Sequence, residues 1–231
     1  MFHAAMICFE QGARYGVFTP IGESTFDPKP CRTRACGNSP ERQYHGAMRQ
    51  CSDIQMNRPT QTILHTGKFL ALIKEGHWEY VDRVNATGAA IILAMTAEQK
   101  ILLVEQYRIP VHARTIELPA GIIGDEPGCS NESQAEAARR ELLEETGYAA
   151  DNFVPLMTGP GCSGLTSERV TLCQASGLRR VGKGSGVANE KITVHEIPMV
   201  EVVRWLEARA RTGVLIDPKI YAGLFFVTQN K

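Results

Sequence analysis

The feature of the sequence that most constrains the fold is a helix predicted between Ser133 and Gly147. Ser133 and Glu136 have the spacing of a capping box, in which each side chain accepts a hydrogen bond from the other residue's backbone N–H. The residues that follow are mostly Ala, Arg, Leu and Glu, which are strong helix formers. Gly147 is a typical residue to end a helix. The sequence therefore predicts a helix with both ends defined.

Three glutamates share one face of this helix. Glu141 and Glu145 are four residues apart, and Glu144 is three residues from Glu141, so their side chains are neighbours. Their mutual repulsion is reversed by a bound cation, and Mg²⁺ is held by one or two protein carboxylates together with phosphate oxygens and water. The alternative is a solvated acidic face. Arg140 beside the acids and the tight strand exit Leu-Pro-Ala-Gly at 118–121 favour a metal site.

Strand and helix signals are interleaved along the chain from residue 62 onward. Strands are predicted at Thr62–Ile73, Trp78–Val84, Ala89–Met95, Ile101–Tyr107, Thr115–Leu118, Phe153–Met157, Val170–Gln174 and Lys191–Ile197. The first two runs are expected to pair, and the next two are expected to form a hairpin buried on both faces. Two further helices are predicted to begin at Pro198 and at Asp217-Pro218, because proline suits the first helical turn. This order predicts an α/β layered domain with helices on a mixed sheet.

The first 55 residues differ from the rest of the chain. They contain no leucine and four of the seven cysteines, and they lack any sustained hydrophobic period. Such a segment buries too little apolar surface to offset its chain entropy. We therefore expect residues 1–55 to be a disordered extension or an over-called start, with the working protein beginning near Met56. Cys31 and Cys36 have no second pair at zinc-site spacing, so no metal site is expected there.

Composition bears on the partners of the protein and on its cellular compartment. The 25 basic and 25 acidic residues give a formal net charge of zero, so no nucleic-acid partner is expected. No apolar stretch approaches the roughly eighteen residues that indicate a membrane-spanning helix, so no membrane partner is expected. Beyond residue 55 the cysteines are Cys129, Cys162 and Cys173, a sparse and odd set that suits a reducing cytoplasm.

The helix and the residues before it resemble the signature of the Nudix hydrolase family. The family pattern is G-x5-E-x7-R-E-U-x-E-E-x-G-U, where U is an apolar residue, and the chain matches it from Glu132 through Arg140-Glu141 to Tyr148. One interval departs from the pattern, because ten residues rather than five separate Gly121 from Glu132. We interpret the difference as an insertion in the loop before the helix.

This resemblance implies a fold, a cofactor and residue roles. The implied fold is an α/β/α sandwich with a mixed β-sheet, and the implied cofactor is Mg²⁺, with Mn²⁺ as a substitute. The residues implied to serve the metal are Glu141, Glu145 and the backbone carbonyl of Ala120, with Glu144 and Arg140 in support. Arg140 is expected to orient the glutamates while paired with Glu132. An ordinary ion pair between Arg140 and Glu144 is compatible with that role.

Two further motifs are similar to those of the ADP-ribose and nucleoside-diphosphate-sugar pyrophosphatases within that family. They are Trp-Glu-Tyr-Val-Asp-Arg at 78–83, and Val-Glu-Gln-Tyr-Arg at 104–108 ahead of Glu-Leu-Pro-Ala-Gly at 117–121. By this resemblance the residues that bind substrate are Trp78, Arg83, Arg108 and Glu117. The chemistry agrees, because indole is a stacking surface for a base and guanidinium is a fork for phosphate. Strand packing for Trp78 and surface ion pairs for the two arginines are the alternatives.

A later loop resembles the family loop that ends in Thr-Ser-Glu and supplies a catalytic glutamate. Its sequence is Gly-Pro-Gly-Cys-Ser-Gly-Leu-Thr-Ser-Glu-Arg at 159–169, a few residues longer than the family pattern. Glu168 is therefore the candidate general base, and a plain loop acid is the alternative. The glycine-rich stretch Val181–Gly186 lacks the setting of a phosphate loop and is expected to be a mobile connection. His195 alternates with apolar neighbours in a strand and is expected to be structural.

The function implied by the resemblance is metal-dependent hydrolysis of ADP-ribose or a related nucleoside diphosphate sugar, giving a nucleoside monophosphate and a sugar phosphate. The alternatives are another diphosphate, such as GDP-mannose or NADH, or a nucleotide-sensing module that binds without cleavage. Relatives in this group are commonly homodimers whose N-terminal strands help to build the partner's site. We therefore expect a strand subdomain at 56–86 that serves dimerisation and a Nudix catalytic domain at 87–231.

Overall fold

The structure, a computed structural model, describes residues 59–125, 128, 131–184 and 191–229 of the 231-residue chain. The predictions for residues 1–55, for Cys31 and Cys36 and for a start near Met56 lie outside the described residues. The strands are β1 Gln61–Thr66, β2 Leu70–Glu75, β3 Trp78–Arg83, β4 Gly88–Ala94, β5 Lys100–Arg108, β6 Ala113–Glu117, β7 Ala120–Ile123, β8 Tyr148–Ala149, β9 Asn152–Pro160, β10 Arg169–Ser176, β11 Arg179–Arg180, β12 Thr193–Pro198 and β13 Leu215–Ile216. The α-helices are α1 Gln134–Thr146, α2 Val202–Arg211 and α3 Lys219–Gln229.

The first three strands form a small antiparallel sheet in the order β1–β2–β3. The sequence predicts a single strand over Thr62–Ile73, but the chain turns back at 67–69, so that run is two paired strands. The predicted pairing with Trp78–Val84 is confirmed by the β2–β3 ladder. The turn between β2 and β3 holds Gly76 at a φ of 61°, a conformation that favours glycine.

Two four-stranded sheets form the centre of the domain. One has the order β7–β4–β10–β9, and the other has the order β12–β5–β6–β13. Each sheet is mixed, since β4 runs parallel to β10 and β6 runs parallel to β13 while the other neighbours are antiparallel. The predicted mixed α/β architecture is therefore confirmed.

The predicted hairpin between the two most apolar strands is wrong. β4 lies between β7 and β10, whereas β5 lies between β12 and β6 in the other sheet. The two strands meet through a single bridge between Met95 and Ile101 at their connecting turn. The sequence could not reveal this, because strands that are buried on both faces lack an alternating pattern to indicate a partner.

Side chains of β4 and β5 point alternately into two apolar layers. Ile91 and Leu103 belong to a core cluster that includes residues of α2 and α3, such as Leu206 and Leu224. The alternate positions of the same strands join a second cluster that includes Ala138 and the neighbouring apolar residues of α1. Because successive side chains of a strand face opposite ways, the strands lie between α1 on one side and α2 with α3 on the other. This arrangement is the predicted α/β/α sandwich.

The helix predictions were confirmed in two of three places. α1 follows Ser133 and ends at Gly147, and α3 follows Asp217-Pro218 as predicted. The third prediction is wrong, because Pro198 is the last residue of β12 and α2 begins only at Val202. The intervening turn carries the hydrogen bond from the Glu201 N–H to the Pro198 carbonyl at 2.9 Å.

Candidate active site

The capping box that the sequence predicts fixes the start of α1. The Ser133 side chain accepts a hydrogen bond from the Glu136 N–H at 3.3 Å, and the Glu136 carboxylate accepts one from the Ser133 N–H at 2.7 Å. At the other end, Gly147 has a φ of 72° and its N–H donates to the Leu143 carbonyl at 2.9 Å. The two caps set the register of the helix, and therefore the direction in which its glutamates point.

Glu141 and Glu145 project from α1 towards the strand exit at Ala120 and Gly121. The Ala120 N–H donates a hydrogen bond to the Glu145 carboxylate at 3.0 Å, and Glu145 is buried. A Cβ placed on Gly121 would lie 1.9 Å from the Cδ and Cγ atoms of Glu141. The backbone therefore approaches the Glu141 carboxylate so closely that a residue other than glycine would displace it.

Arg140 connects the loop before α1 to the acidic face of the helix. Its guanidinium donates two hydrogen bonds to Glu132, at 3.1 and 3.2 Å, and one to Glu141 at 2.8 Å. It also lies 3.8 Å from the Glu144 carboxylate, so the expected pairs with Glu132 and Glu144 are both present. The hydrogen bond from Arg140 holds the pKa of Glu132 below its usual value, and Glu132 in turn raises the pKa of Arg140.

Glu141 has an electrostatic environment unlike that of an ordinary surface acid. Burial raises its pKa to about 7, with further contributions from the negative charges of Glu144 and Asp125. The charge and the hydrogen bond of Arg140 act in the opposite direction but do not outweigh burial. Desolvated, mutually repelling carboxylates are the setting in which a multivalent cation is most favourable.

Glu168 is held in place by the first sheet. Its carboxylate accepts a hydrogen bond from Nε of Arg83 at the end of β3. The loop before it is tied to the same strand, because the Val81 N–H donates to the Leu165 carbonyl at 2.9 Å and the Ser167 N–H donates to the Val81 carbonyl at 3.2 Å. The Thr-Ser-Glu segment and the predicted substrate arginine are thus brought together.

Arg108 and Glu117 form a two-pronged ion pair across the β5–β6 ladder. Nε and a terminal nitrogen of Arg108 donate to the two Glu117 oxygens, at 2.8 and 2.6 Å. Burial opposes ionisation of Glu117, but the hydrogen bonds from Arg108 and Thr115 are stronger, so its pKa is lowered. Glu117 is therefore a fixed anion that holds the exposed Arg108 guanidinium at the mouth of the cleft.

A cleft of about 530 Å³ connects these groups. The predicted site residues that line it are Arg83, Arg108, Glu117, Ala120, Arg140, Glu141, Glu144, Glu145 and Glu168. Trp78 does not line it: the indole is half-exposed at the opposite end of β3 from Arg83. Within the chain, Trp78 and Arg83 are therefore separated by roughly 16 Å of extended strand.

The cleft also contains residues that the sequence did not indicate, among them Gln106, Asp125 and Lys219. Gln106 belongs to the Gln-Tyr-Arg motif, so its position next to Arg108 could have indicated it. Asp125 lies in the loop before α1, and Lys219 is the first residue of α3, where the pattern indicates a helix start but not the direction of a side chain.

His195 and the described part of the glycine-rich stretch both lie outside the cleft. Nε2 of His195 lies 2.9 Å from the carboxylate of Glu105, and its ring packs against Trp205. The described part of the glycine-rich stretch contacts the end of α1, because the N–H groups of Val181 and Gly182 both donate to the Gly147 carbonyl. Among the residues described, neither segment contributes to the lining of the cleft.

The comparisons with known proteins agree with this geometry. Residues 85–213 match the NUDIX domain family. The chain belongs to this family. It is 31% identical over 171 residues to an ADP-ribose pyrophosphatase of Mycobacterium tuberculosis, a match that covers 71% of this chain and 79% of that protein. It is also 31% identical over 129 residues to a methanol dehydrogenase activator of Bacillus methanolicus, covering 54% of this chain and 66% of that protein.

A solved structure supports the fold of this Nudix chain. It is described as an ADP compounds hydrolase and superposes with a TM-score of 0.55 at 18% identity, covering 74% of this chain and 91% of that one. At this level of identity the likeness establishes the shared fold. Among the helices in the described residues, none is both long and apolar enough to cross a membrane.

Proposed function

We propose that this chain hydrolyses the diphosphate bond of ADP-ribose or a related nucleoside diphosphate sugar, with a divalent metal ion at Glu141 and Glu145. The products are a nucleoside monophosphate and a sugar phosphate. The observation that carries the proposal is the convergence of Glu141, Glu145 and Glu168 on one cleft that also contains Arg83 and Arg108. The similarity of this chain to an ADP-ribose pyrophosphatase supports the choice of substrate.

The residues at the strand exit fit a hard divalent cation. Mg²⁺ prefers oxygen ligands and takes only one or two protein carboxylates, the remainder coming from substrate phosphates and water. In the described residues no group of three acidic, histidine or cysteine side chains is arranged to hold a metal ion by itself, so substrate and water oxygens would have to complete the coordination. Glu141, Glu145 and the Ala120 carbonyl would hold Mg²⁺, or Mn²⁺ in its place, and Glu144 and Arg140 would position the pair.

The chain's own residues account for the rest of the reaction. Arg108, held by Glu117, and Arg83 present guanidinium groups that neutralise the diphosphate. Glu168 accepts a proton from water as the water oxygen forms a bond to phosphorus and the bridging P–O bond breaks. When bound, the metal supplies further charge neutralisation and acidifies the attacking water. Arg83 keeps the Glu168 carboxylate directed into the cleft.

We further propose that the protein is a cytoplasmic homodimer in which the β1–β3 sheet forms the contact. Large apolar side chains of this sheet are exposed, with Ile63 at 65% and Phe69 at 69%. Large apolar side chains that are exposed in one short part of a chain are typical of interaction surfaces. In a two-fold dimer each Trp78 could then serve the site of the other subunit, as the sequence resemblance implies.

A substrate panel tests the proposed function. Phosphate release from ADP-ribose, ADP-glucose, GDP-mannose and NADH, coupled to a phosphatase, would be measured on the full chain with Mg²⁺, with Mn²⁺ and with EDTA. We expect metal-dependent turnover of ADP-ribose that is abolished by EDTA. A folded protein that binds ADP-ribose but releases no phosphate from any compound would instead indicate a nucleotide-sensing module.

Substitutions test the assignment of the metal ligands. We expect Glu141→Gln and Glu145→Gln each to lower kcat on ADP-ribose by at least about a hundredfold, because each removes a charge that the metal requires. Affinity for ADP-ribose should be largely kept, as measured by calorimetry. Glu207→Gln is the matched control, since Glu207 is exposed on α2 and contacts only its helix neighbour Arg211 in the described residues. Near-normal turnover in both site variants would contradict the assignment.

A further inference from the structure

A small apolar recess opens from one end of the cleft. Its volume is about 150 Å³. The apolar residues that line it are Ile91, Met157, Pro160, Val170, Leu172 and Ala222. Lys219 is the one charged residue in the described lining, and its ammonium group lies 2.6 Å from the Asp217 carboxylate. The recess is therefore a surface of hydrocarbon with a cation beside it.

The apolar recess is one of two recesses that adjoin different parts of the cleft. It shares Ile91, Gly161, Val170 and Lys219 with the cleft. A second recess, of about 200 Å³, shares a different set with the cleft, including Arg83, and is also lined by Phe69. The two recesses share no lining residue with each other. The glutamates of α1 line the cleft but neither recess, so the cleft offers two separate places for the two halves of a substrate.

Two of the glycines that line the apolar recess have backbone partners within the protein. The Gly161 N–H donates to the Glu168 carbonyl at 3.1 Å, and Gly159 is paired with Val170 in the β9–β10 ladder. A ring rich in hydroxyl groups would exchange hydrogen bonds to water for contacts that are mostly with hydrocarbon, which is unfavourable. A volume of about 150 Å³ is sufficient for one ring of the size of benzene. The recess thus has the size and the chemistry for one compact apolar ring.

We infer that this recess selects substrates whose second half, beyond the diphosphate, is a compact ring poor in hydroxyl groups, such as a deoxysugar. The inference rests on the proposed function and narrows its substrate class. The ring packs on Met157, Leu172 and Ala222, while Lys219 at the entrance faces the phosphate next to the ring. Selection here comes from apolar contact rather than from hydrogen bonds to the sugar.

A matched pair of compounds tests the inference on the full chain. Cyclohexyl ADP and ADP-glucose both carry a six-membered ring on the same nucleoside diphosphate, but the cyclohexyl ring lacks hydroxyl groups. An apolar pocket discriminates by about tenfold to a hundredfold between such ligands. We expect kcat/KM, and also affinity measured by calorimetry in EDTA, to favour cyclohexyl ADP by at least about tenfold. Equal values, or a preference for ADP-glucose, would overturn the inference.

Two variants locate the preference in the recess. Ala222→Phe fills the recess from an exposed position on α3, and Met157→Ser removes apolar lining from the exposed side of β9. Each should reduce the preference for cyclohexyl ADP to less than about threefold, because the apolar contact is lost. Tyr221→Phe is the matched control, since Tyr221 is a neighbour on α3 that does not line the recess. A wild-type preference in both recess variants would overturn the assignment.

The readouts separate failure of this inference from failure of the proposed function. A calorimetric preference for cyclohexyl ADP without turnover of any compound would uphold the recess and contradict hydrolysis. Turnover of ADP-ribose without any preference would uphold hydrolysis and overturn the recess. A folded protein that binds neither compound would overturn both.

Discussion

Two opposing effects act on the carboxylate of Glu141. Burial and neighbouring acids disfavour its negative charge, whereas Arg140 favours it. The side chain lies so close to the backbone of Gly121 that a Cβ at that position would overlap it. The position of this carboxylate is thus set by backbone geometry as much as by hydrogen bonds.

Gly121→Ala tests this dependence on backbone geometry. The added methyl would overlap the Glu141 side chain, so we expect kcat on ADP-ribose to fall by about a hundredfold, as a displacement of about 1 Å in a catalytic group can cause. Gly164→Ala is the control, because no atom lies within 4 Å of the position of its Cβ. Turnover of Gly121→Ala within about twofold of wild type would show that Glu141 has freedom to adapt.

At the scale of single elements, α1 shows how local signals become structure. Each cap of this helix is formed by residues that are close in sequence, so it could be predicted from the few residues at that end of the helix. The partners of the strands were predicted only in part: the β2–β3 pairing is confirmed, whereas the pairing of β4 with β5 is wrong. β4 is entirely apolar, and so is β5 from Ile101 to Val104, so these sequences indicate burial without indicating which neighbours cover them.

The same distinction applies to the candidate site. The presence of Glu141, Glu145, Arg140 and Glu168 in the cleft could be predicted from the resemblance of their segments to family motifs, and their roles stay predictions. Lys219 could not, because its place in the cleft depends on how α3 packs against the sheet. The recess could not be predicted either, since its lining residues come from β4, β9, β10 and α3, and their meeting is a property of the fold.

Ser133→Ala tests the contribution of the capping box. Loss of the hydroxyl leaves the Glu136 N–H without its partner, so we expect the free energy of unfolding to fall by about 1 kcal/mol. Urea denaturation monitored by circular dichroism measures the change. Glu136→Gln is a suitable control, because glutamine also forms a capping box and should preserve most of the stability. An unchanged midpoint for Ser133→Ala would mean that tertiary packing alone fixes this end of α1.

At the scale of the whole molecule, a buried carboxylate joins three strands of the β12–β5–β6–β13 sheet to helix α2. Glu105 on β5 accepts hydrogen bonds from Arg114 on β6 at 2.6 Å and from Arg209 on α2 at 2.7 Å, and it contacts His195 on β12. Burial opposes its ionisation, but the hydrogen bonds from Arg114 and His195 and the charge of Arg209 outweigh it, so the pKa of Glu105 is lowered.

This lowered pKa predicts the pH dependence of stability. The contribution of ionised Glu105 is fully present above its ordinary pKa of 4.5 and is lost as pH falls through the lower value of the folded state. We expect Glu105→Gln to be less stable than wild type at pH 7, and the difference to shrink below pH of roughly 4. Urea denaturation from pH 7 to pH 3 measures both curves. Parallel curves would contradict the role of the Glu105 charge.

The proposed dimer predicts a second whole-molecule property. Ile63→Glu places a charge on the exposed apolar side of the first sheet, so we expect a dimer by sedimentation equilibrium in the wild type and a monomer in the variant. Val203→Glu is the control, because Val203 is also an exposed apolar residue but lies on α2. A monomeric wild type would contradict the proposed assembly.

Hydrogen bonds between β3 and the loop that carries Glu168 couple the proposed substrate-binding strand to the proposed catalytic loop. Val81 is bonded on both sides to this loop, and Asp82 accepts a hydrogen bond from the Ser167 hydroxyl at 2.5 Å. A displacement of β3 would act, through these hydrogen bonds, on Glu168, the carboxylate proposed to accept the proton. Substitutions in β1–β3 that do not contact the substrate can therefore alter the catalytic rate. A change of substrate preference that arises in these strands would also change the position of Glu168, and with it the rate.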